Sequence, residues 1–526
     1  MSFNPEIGSV ADVARFHAKN RADTPALIFE DRVTTYRDLD RHASQVANGL
    51  RALGIAPQTR VAYLDKNSDQ YFEIMLGGAK GRFVTTAVNW RLAPPEIAYI
   101  LNDCSAEVLF VGAAFFALVD AVAPQLKTVK TIIALQPGRP EWPLYAAWRD
   151  AQTPDDPLLA HDPEDVVLQL YTSGTTGHPK GAMLVNRNFI AGRAVQNESG
   201  LVFNQWSDSD VSLVAMPCFH IGGSGWGFSG LYVGAKNVVH AEFTPRGVLE
   251  AMRAYKISKL FMVPAAMKFV LDDPLCDGTD FSSLKYLLYG ASPIPLDLLR
   301  RALDVFKCGF VQLYGMTEAC GSVTYLPPED HDVSGNPRMR SAGKPFPGVE
   351  IKIIGEDGEE LSRGQVGEIC VRTVQLMKGY HNLPEASAKA IPADGWLRSG
   401  DAGFMDHDGY VFVHDRVKDM IVSGGENIYP AEVESAIFGH PAVADVAVIG
   451  VPSERWGEEV KAVVVVKPGA SAQASDIIDF ARTRIAGYKL PKSVDFIDAL
   501  PRNATGKILK RELRKPYWEG RERQVN

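Results

Sequence analysis

Val166-Val-Leu-Gln-Leu-Tyr-Thr-Ser-Gly-Thr-Thr-Gly-His-Pro-Lys-Gly181 is an apolar run that gives way to hydroxyls, three glycines and a lysine next to the last of them. The first five residues read as a buried strand, because a short continuous apolar run bounded by turn residues suits a strand covered on both faces. The remainder has the chemistry of a cradle for phosphate oxygens. Glycines let backbone N–H groups turn toward a ligand, hydroxyls add donors, and the lysine supplies a point charge. It is not a Walker A loop, because Pro179 precedes Lys180 where that pattern needs Gly-Lys-Ser/Thr. The competing reading is a flexible polar surface loop.

Working outward, short β-rich runs recur on both sides of this stretch. Val61–Leu64, Phe83–Thr86, Val108–Val111 and Thr131–Leu135 precede it. Val211–Val214, Lys259–Val263, Tyr286–Tyr289 and Phe310–Leu313 follow. Segments of helical length separate several of them, which predicts parallel sheets covered by helices on both faces. Thr35 and Asp38 form a capping pair ahead of Leu39, Val46, Ala47, Leu50 and Leu53 at helical spacing. From Val349 the texture changes: Asp357–Gly358 and Asp408–Gly409 sit between apolar runs, a hairpin signal that predicts antiparallel strands. Past Arg416 the runs Val446–Ile449, Ala462–Val466 and Val494–Ile497, with a helix from Ser475 to Ile485, predict a small α+β unit. The division expected is 1–416 and 417–526.

The chain has 526 residues, too many for one ordinary domain, with apolar and charged fractions of a globular protein. A net charge of −8 argues against a generally nucleic-acid-binding surface. Six cysteines without any Cys-x-x-Cys pair suit reduced thiols in a cytoplasmic protein and offer neither a disulfide framework nor a zinc site. No signal peptide is expected at Met1, and the longest apolar stretch, 108–123, is short for a bilayer and carries Asp120. That leaves peripheral membrane contact open and predicts no integral segment.

Four further groups carry chemistry. Tyr314-Gly-Met-Thr-Glu318 follows a strand, where open α/β sheets place ligands. Thr317 could donate to a phosphate and Glu318 could hold Mg²⁺, a hard cation that prefers oxygen; a turn with a solvated Glu318 is the bland alternative. Asp401 could accept ribose hydroxyls, with Arg416 adding donors, or the two could form an exposed ion pair. Lys507, on the loop Pro501-Arg-Asn-Ala-Thr-Gly-Lys507, could reach a transferring phosphoryl group, or belong to an ordinary basic C-terminus. Gly225-Trp-Gly-Phe-Ser-Gly230 matches G-x-G-x-x-G without a βαβ setting and reads better as a glycine-rich wall of an apolar pocket. His220 alone reads as a satisfied core histidine.

In combination, Thr172–Lys180, Tyr314–Glu318, Asp401, Arg416 and Lys507 resemble the adenylate-forming superfamily, and the resemblance covers nearly the whole chain. It implies two αβα-type subdomains and a β-barrel-like one, followed by a small mobile α+β domain that swings on a hinge at Lys418. ATP and a carboxylic acid would give acyl-AMP and pyrophosphate, and CoA would then displace AMP. Thr172, Ser173, Gly174, Thr175, Thr176, Gly177 and Lys180 would bind the phosphates, with Glu318 and Thr172 at Mg²⁺. Gly290, Ala291, Ser292, Tyr314, Gly315, Met316, Thr317, Asp401, Val413 and Arg416 would hold the nucleotide. Lys507, Thr317, Glu318 and His220 would be catalytic, with His220 a gate between acyl pocket and thiol tunnel. Ser423, Gly424, Gly425, Trp456, Tyr488 and Lys492 would meet CoA.

For the acid, His220, Gly222, Gly225, Trp226, Gly290, Gly315, Met316 and Gly321 suggest a pocket roomy enough for a long or bulky apolar chain, closest in pattern to fatty-acyl-CoA ligases. Aryl and arylpropenoate acids use similar pockets and remain the alternative. An amino acid is disfavoured, because Phe219–Gly230 contains no carboxylate to pair an amine. A non-catalytic relative is disfavoured because Lys507, Glu318 and the hydroxyl-rich loop are all intact. A homodimer is one expected assembly.

Overall fold

Thr35 caps the helix Tyr36–Ala52 as its sequence predicts: its Oγ1 accepts from the Asp38 amide at 3.1 Å and donates to the Asp38 carboxylate at 2.7 Å. Leu39, Val46, Ala47 and Leu50 then point into the core and are fully buried. Leu53 falls just past the helix end and is exposed. The computed structural model describes residues 4–172, 179–416, 419–423, 426–502 and 508–519, except the side chains of Asp415, Arg416 and Asn427.

A nine-stranded sheet has the order Lys344–Pro345, Gly321–Leu326, Gly309–Met316, Tyr286–Gly290, Lys259–Met262, Val211–Val214, Lys236–Val239, Pro25–Phe29, Arg32–Thr35. A seven-stranded sheet runs Gly379–Tyr380, Lys180–Val185, Val166–Thr172, Val84–Ala87, Arg60–Leu64, Val108–Val111, Thr131–Ala134. Both are parallel in the middle, as the alternating pattern predicts, but antiparallel at margins the pattern did not reveal. A parallel pair needs a long crossover, whereas the short connections after Thr172, Met316 and Phe29 leave the chain only an antiparallel return.

The region expected to be barrel-like is a four-stranded antiparallel sheet, Val349–Ile354, Gly367–Thr373, Leu397–Met405 and Val411–Arg416. Gly358 and Gly409 take φ of +84° and +85° in the predicted Asp-Gly turns, a backbone region that glycine enters without strain. The C-terminal unit pairs Val443–Ser453 with Gly457–Val466 and packs the helices Pro430–Phe438 and Ala474–Arg482 on that sheet.

The glycine-rich stretch forms the helix Ile221–Val233, buried between the two large sheets. Glycine is a poor helix former, so packing must dictate this helix. A Cβ on Gly223 would lie 2.3 Å from the Pro217 carbonyl oxygen, one on Gly227 2.3 Å from the Phe72 ring, and one on Gly230 2.0 Å from Asn237 Oδ1. The G-x-G-x-x-G match is thus a close-packed helix, not a nucleotide loop.

Candidate active site

Thr172 ends a strand of the seven-stranded sheet, and Glu318 lies in the turn Thr317–Ala319 that follows Gly309–Met316 of the nine-stranded sheet. Thr172 Oγ1 donates to Glu318 Oε1 at 3.3 Å, so the carboxyl ends of one strand from each sheet meet here. Lys180 pairs directly with Thr172 across the antiparallel ladder, which brings its ammonium to the same place. Ser173, Gly174, Thr175, Thr176 and Gly177 lie outside the described residues. Thr172 and Lys180, at the two ends of that loop, are paired on adjacent strands.

Tyr380 joins this cluster although no motif marked it. Its hydroxyl donates to the same Glu318 Oε1 at 2.8 Å, and Lys180 Nζ stands 5.0 Å from the centre of its ring. The Met377 amide donates to the Glu318 backbone carbonyl at 2.8 Å. Segment 377–380 therefore holds Glu318 by both main chain and side chain. The only sequence signal was the two-residue apolar context of Gly379–Tyr380, too short to read as a strand.

Glu318, Thr172 and Lys180 fit a Mg²⁺–phosphate site. Among the described residues no cluster of three His, Cys, Asp or Glu side chains could hold a metal by itself. One carboxylate plus hydroxyl, substrate phosphate and water is the usual protein share for Mg²⁺.

A second cluster forms at Tyr314, the first residue of the Tyr314–Glu318 segment. The Tyr314 hydroxyl donates to Asp401 Oδ2 at 2.7 Å, and the Asp401 amide donates to Ser399 Oγ at 3.0 Å. Asp401 is buried, in register with Arg416 on the adjacent strand; the Arg416 side chain lies outside the described residues. Val413, three residues before Arg416 and in register with Gly403, is half-buried on the same strand pair. Gly290, Ala291 and Ser292 leave the neighbouring parallel strand at the same edge, with Ala291 in the left-handed region at φ +67°.

The pocket glycines divide by geometry. A Cβ on Gly290 would lie 2.0 Å from the Leu313 carbonyl oxygen, and one on Gly315 2.0 Å from that of Gly321, so strand contact itself requires both. Gly321, at φ +123°, faces open space. Gly222 and Gly225 face the side chains of Phe261 and Ile221 at 3.1 and 3.2 Å. Trp226 donates from Nε1 to the Leu213 carbonyl at 3.0 Å and packs on Trp206 and Phe261. Met316 and Tyr314 border the same apolar cluster.

His220 caps the helix Ile221–Val233 without a side-chain capping bond. Its Nε2 is buried with no hydrogen-bond partner among the described residues, which does not fit the satisfied core histidine that its type alone suggested. Burial, with the Arg91 charge adding, pushes its pKa down to about 3. Its ring lies edge-on to Phe219 at 4.6 Å. Among the described residues neither hydrogen bond nor ring contact links His220 or Trp226 to Glu318 or Asp401.

In the C-terminal unit, Ser423 pairs with Gly457 beside Trp456, and the Lys492 amide donates to the Val460 carbonyl at 2.8 Å. Those residues share one end of the small sheet. Trp456, with Arg455 over its ring at 4.5 Å, and Tyr488 are both exposed. Lys507, Lys418, Gly424 and Gly425 lie outside the described residues.

Comparison with known proteins agrees with this geometry. The family model described as AMP-binding enzyme matches residues 14–381, and that described as AMP-binding enzyme C-terminal domain matches 432–507. The fatty acid–[acyl-carrier-protein] ligase ScoC of Streptomyces coeruleorubidus is 42% identical, covering 99% of both chains. A feruloyl-CoA synthase of an Amycolatopsis species is 41% identical, over 92% of this chain and 94% of its own. The anthranilate CoA ligase AuaEII, solved with anthranoyl-AMP, superposes with a TM-score of 0.89 at 28% identity, covering 97% of each chain. With a family model spanning well over half of its length, the chain belongs to the AMP-binding enzymes.

Proposed function

We propose that this protein is an ATP-dependent acyl-CoA synthetase that works through an acyl-adenylate. The carrying observation is that Thr172, Lys180 and Glu318 converge from two sheets beside the Tyr314–Asp401 pair. That convergence supports phosphate, metal and ribose chemistry side by side. Long relatives named as fatty-acid, feruloyl-CoA and indoleacetate–CoA ligases support the same reading.

In the first step a carboxylate oxygen attacks the α-phosphorus, and the bond to pyrophosphate breaks. Such displacement needs positioning and charge neutralisation more than a protein nucleophile. The hydroxyl-rich loop and Lys180 hold the departing phosphates, while Asp401 orients the ribose with Arg416 beside it. Tyr314, Gly315, Met316 and Gly290–Ser292 border the adenine. Mg²⁺, held by Glu318 with Thr172 alongside, would neutralise phosphate charge when bound. Lys507 bridges the acid and the α-phosphate.

In the second step the small domain turns about Lys418, Lys507 withdraws, and a thiolate attacks the acyl carbon. AMP leaves with the electron pair of the broken C–O bond. His220, neutral at working pH, stands between acid and thiol as a steric gate. Ser423, Gly424, Gly425, Trp456, Tyr488 and Lys492 meet the CoA.

The acid is a medium- or long-chain fatty acid or a bulky apolar one, supported by the Trp206–Trp226–Phe261 wall and the open space at Gly321. An aryl acid is the second reading, supported by the feruloyl-CoA relative. The carrier-protein ligase at 42% identity supports a second acceptor, a protein-bound pantetheine thiol. A cytoplasmic location and a homodimer complete the proposal; among the described residues no helix is long and apolar enough to cross a membrane.

The test is pyrophosphate release across fatty, aryl and amino acids, with CoA, with a carrier protein, and with neither. Turnover with apolar acids that depends on a thiol supports the proposal. Amino-acid turnover indifferent to CoA overturns it.

A further inference from the structure

We propose that Tyr380 is a positioning residue for adenylation, one side chain that sets both the metal-binding carboxylate and the phosphate-binding ammonium. The inference rests on the adenylation reading above. Two hydroxyls, from Tyr380 at 2.8 Å and Thr172 at 3.3 Å, converge on Glu318 Oε1. Among the described residues Oε2 accepts no hydrogen bond, which leaves it the oxygen available to a cation. A carboxylate with one oxygen tied presents the other in a fixed direction, and ordering a flexible Glu before metal arrives removes part of the entropy lost on binding.

The ring of the same residue carries the second function. Lys180 Nζ lies 5.0 Å from its centroid, within the range at which an ammonium is attracted to an aromatic face. The ammonium on its long stem is thereby held near Glu318 without pairing to it, which keeps its charge directed at phosphate oxygens.

Tyr380 is itself held on three sides. Its strand pairs with Lys180–Val185, its amide donates to Ser387 Oγ at 2.8 Å, and the Met377 amide three residues earlier holds the Glu318 carbonyl. A tyrosine wanted only for packing would not need its hydroxyl aimed at a carboxylate that already has a donor.

Two substitutions separate the roles. Tyr380→Phe keeps the ring and loses the hydroxyl; Tyr380→Leu loses both. Mn²⁺ binding to the enzyme with a non-hydrolysable ATP analogue is measured by electron paramagnetic resonance, and the ATP KM at saturating Mg²⁺ by pyrophosphate exchange. Tyr380→Phe is expected to weaken Mn²⁺ binding about tenfold, the size of one hydrogen bond to a charged group, with ATP KM within about twofold of wild type. Tyr380→Leu is expected to raise ATP KM by a further three- to fivefold or about that, the size of an exposed cation–π contact.

Wild-type Mn²⁺ affinity in Tyr380→Phe, or an ATP KM in Tyr380→Leu no higher than in Tyr380→Phe, overturns the proposal. Glu318→Gln separates the two levels. If it loses Mn²⁺ binding while Tyr380→Phe does not, the inference about Tyr380 fails and the adenylation reading stands. If Glu318→Gln binds Mn²⁺ like wild type, the assignment of Glu318 fails and the proposal falls with it.

Discussion

The Tyr314 hydroxyl donates to Asp401 Oδ2 at 2.7 Å, joining the end of the nine-stranded sheet to the antiparallel sheet across 87 residues of sequence. The bond engages one oxygen of the carboxylate proposed to meet the ribose. Tyr314→Phe is therefore expected to raise the ATP KM about tenfold with little change in kcat, since a hydrogen bond to a charged group contributes about 1.5–3 kcal/mol. Asp401→Asn should also erase the preference for ATP over its 2′-deoxy form. Retained discrimination in Asp401→Asn would remove the ribose role.

Strand contact makes Gly290 and Gly315 intolerant. A methyl group at either would lie 2.0 Å from a backbone carbonyl oxygen, and backbone on both sides is fixed in the sheet. Gly290→Ala and Gly315→Ala should lower stability by about 2 kcal/mol or more, seen as a fall in unfolding midpoint. Gly222→Ala meets only the Phe261 side chain at 3.1 Å and should instead alter acid preference at near-wild-type stability.

Three histidines, His17 buried and His220 and His331 half-buried, make the fold acid-sensitive. Burial pushes His220 down to about 3, and His17 and His331 to about 4. Each binds a proton less readily folded than unfolded. Their stabilisation is complete above the ordinary histidine value and is lost as pH falls from about 6.5 toward 4. Between pH 7 and pH 5 the expected loss is about 1–2 kcal/mol per histidine, measured by urea unfolding. His220→Gln should flatten that slope; an unchanged slope would contradict its burial as a neutral ring.

The rings of His414 and Tyr429 stack at 4.2 Å and 17°. His414 precedes the expected hinge at Lys418 and Tyr429 follows it, so rotation of the small domain must part them. Lys418→Pro should preserve adenylation and suppress thioester formation more than tenfold, by about 1.4 kcal/mol or more of barrier. Unchanged thioester turnover would sink the rotation.

Much of this was legible before any fold was known. The run Val166–Leu170, the Asp-Gly turns and the Thr35 cap are local signals, and local physics places them. Glu318, Lys180 and Asp401 each had an ordinary solvated reading on their own, and only their combination, through the family resemblance, singled them out. Tyr380 was not, since its role depends on a strand pairing with Lys180–Val185 that no local periodicity encodes. The helix Ile221–Val233 was also hidden: its glycines oppose helix formation, and only packing against Pro217, Phe72 and Asn237 explains them.

The central claim is an acyl-adenylate made before any thiol is engaged. Its most direct test is to mix enzyme, labelled ATP and an apolar acid without thiol, quench, and separate the products, in wild type and in Lys507→Ala. The account expects acyl-AMP and pyrophosphate from wild type and almost none from Lys507→Ala. It also expects Lys507→Ala to convert supplied acyl-AMP and CoA to thioester at a rate much closer to wild type. ADP and phosphate as products, or equal loss of both half-reactions in Lys507→Ala, would contradict it.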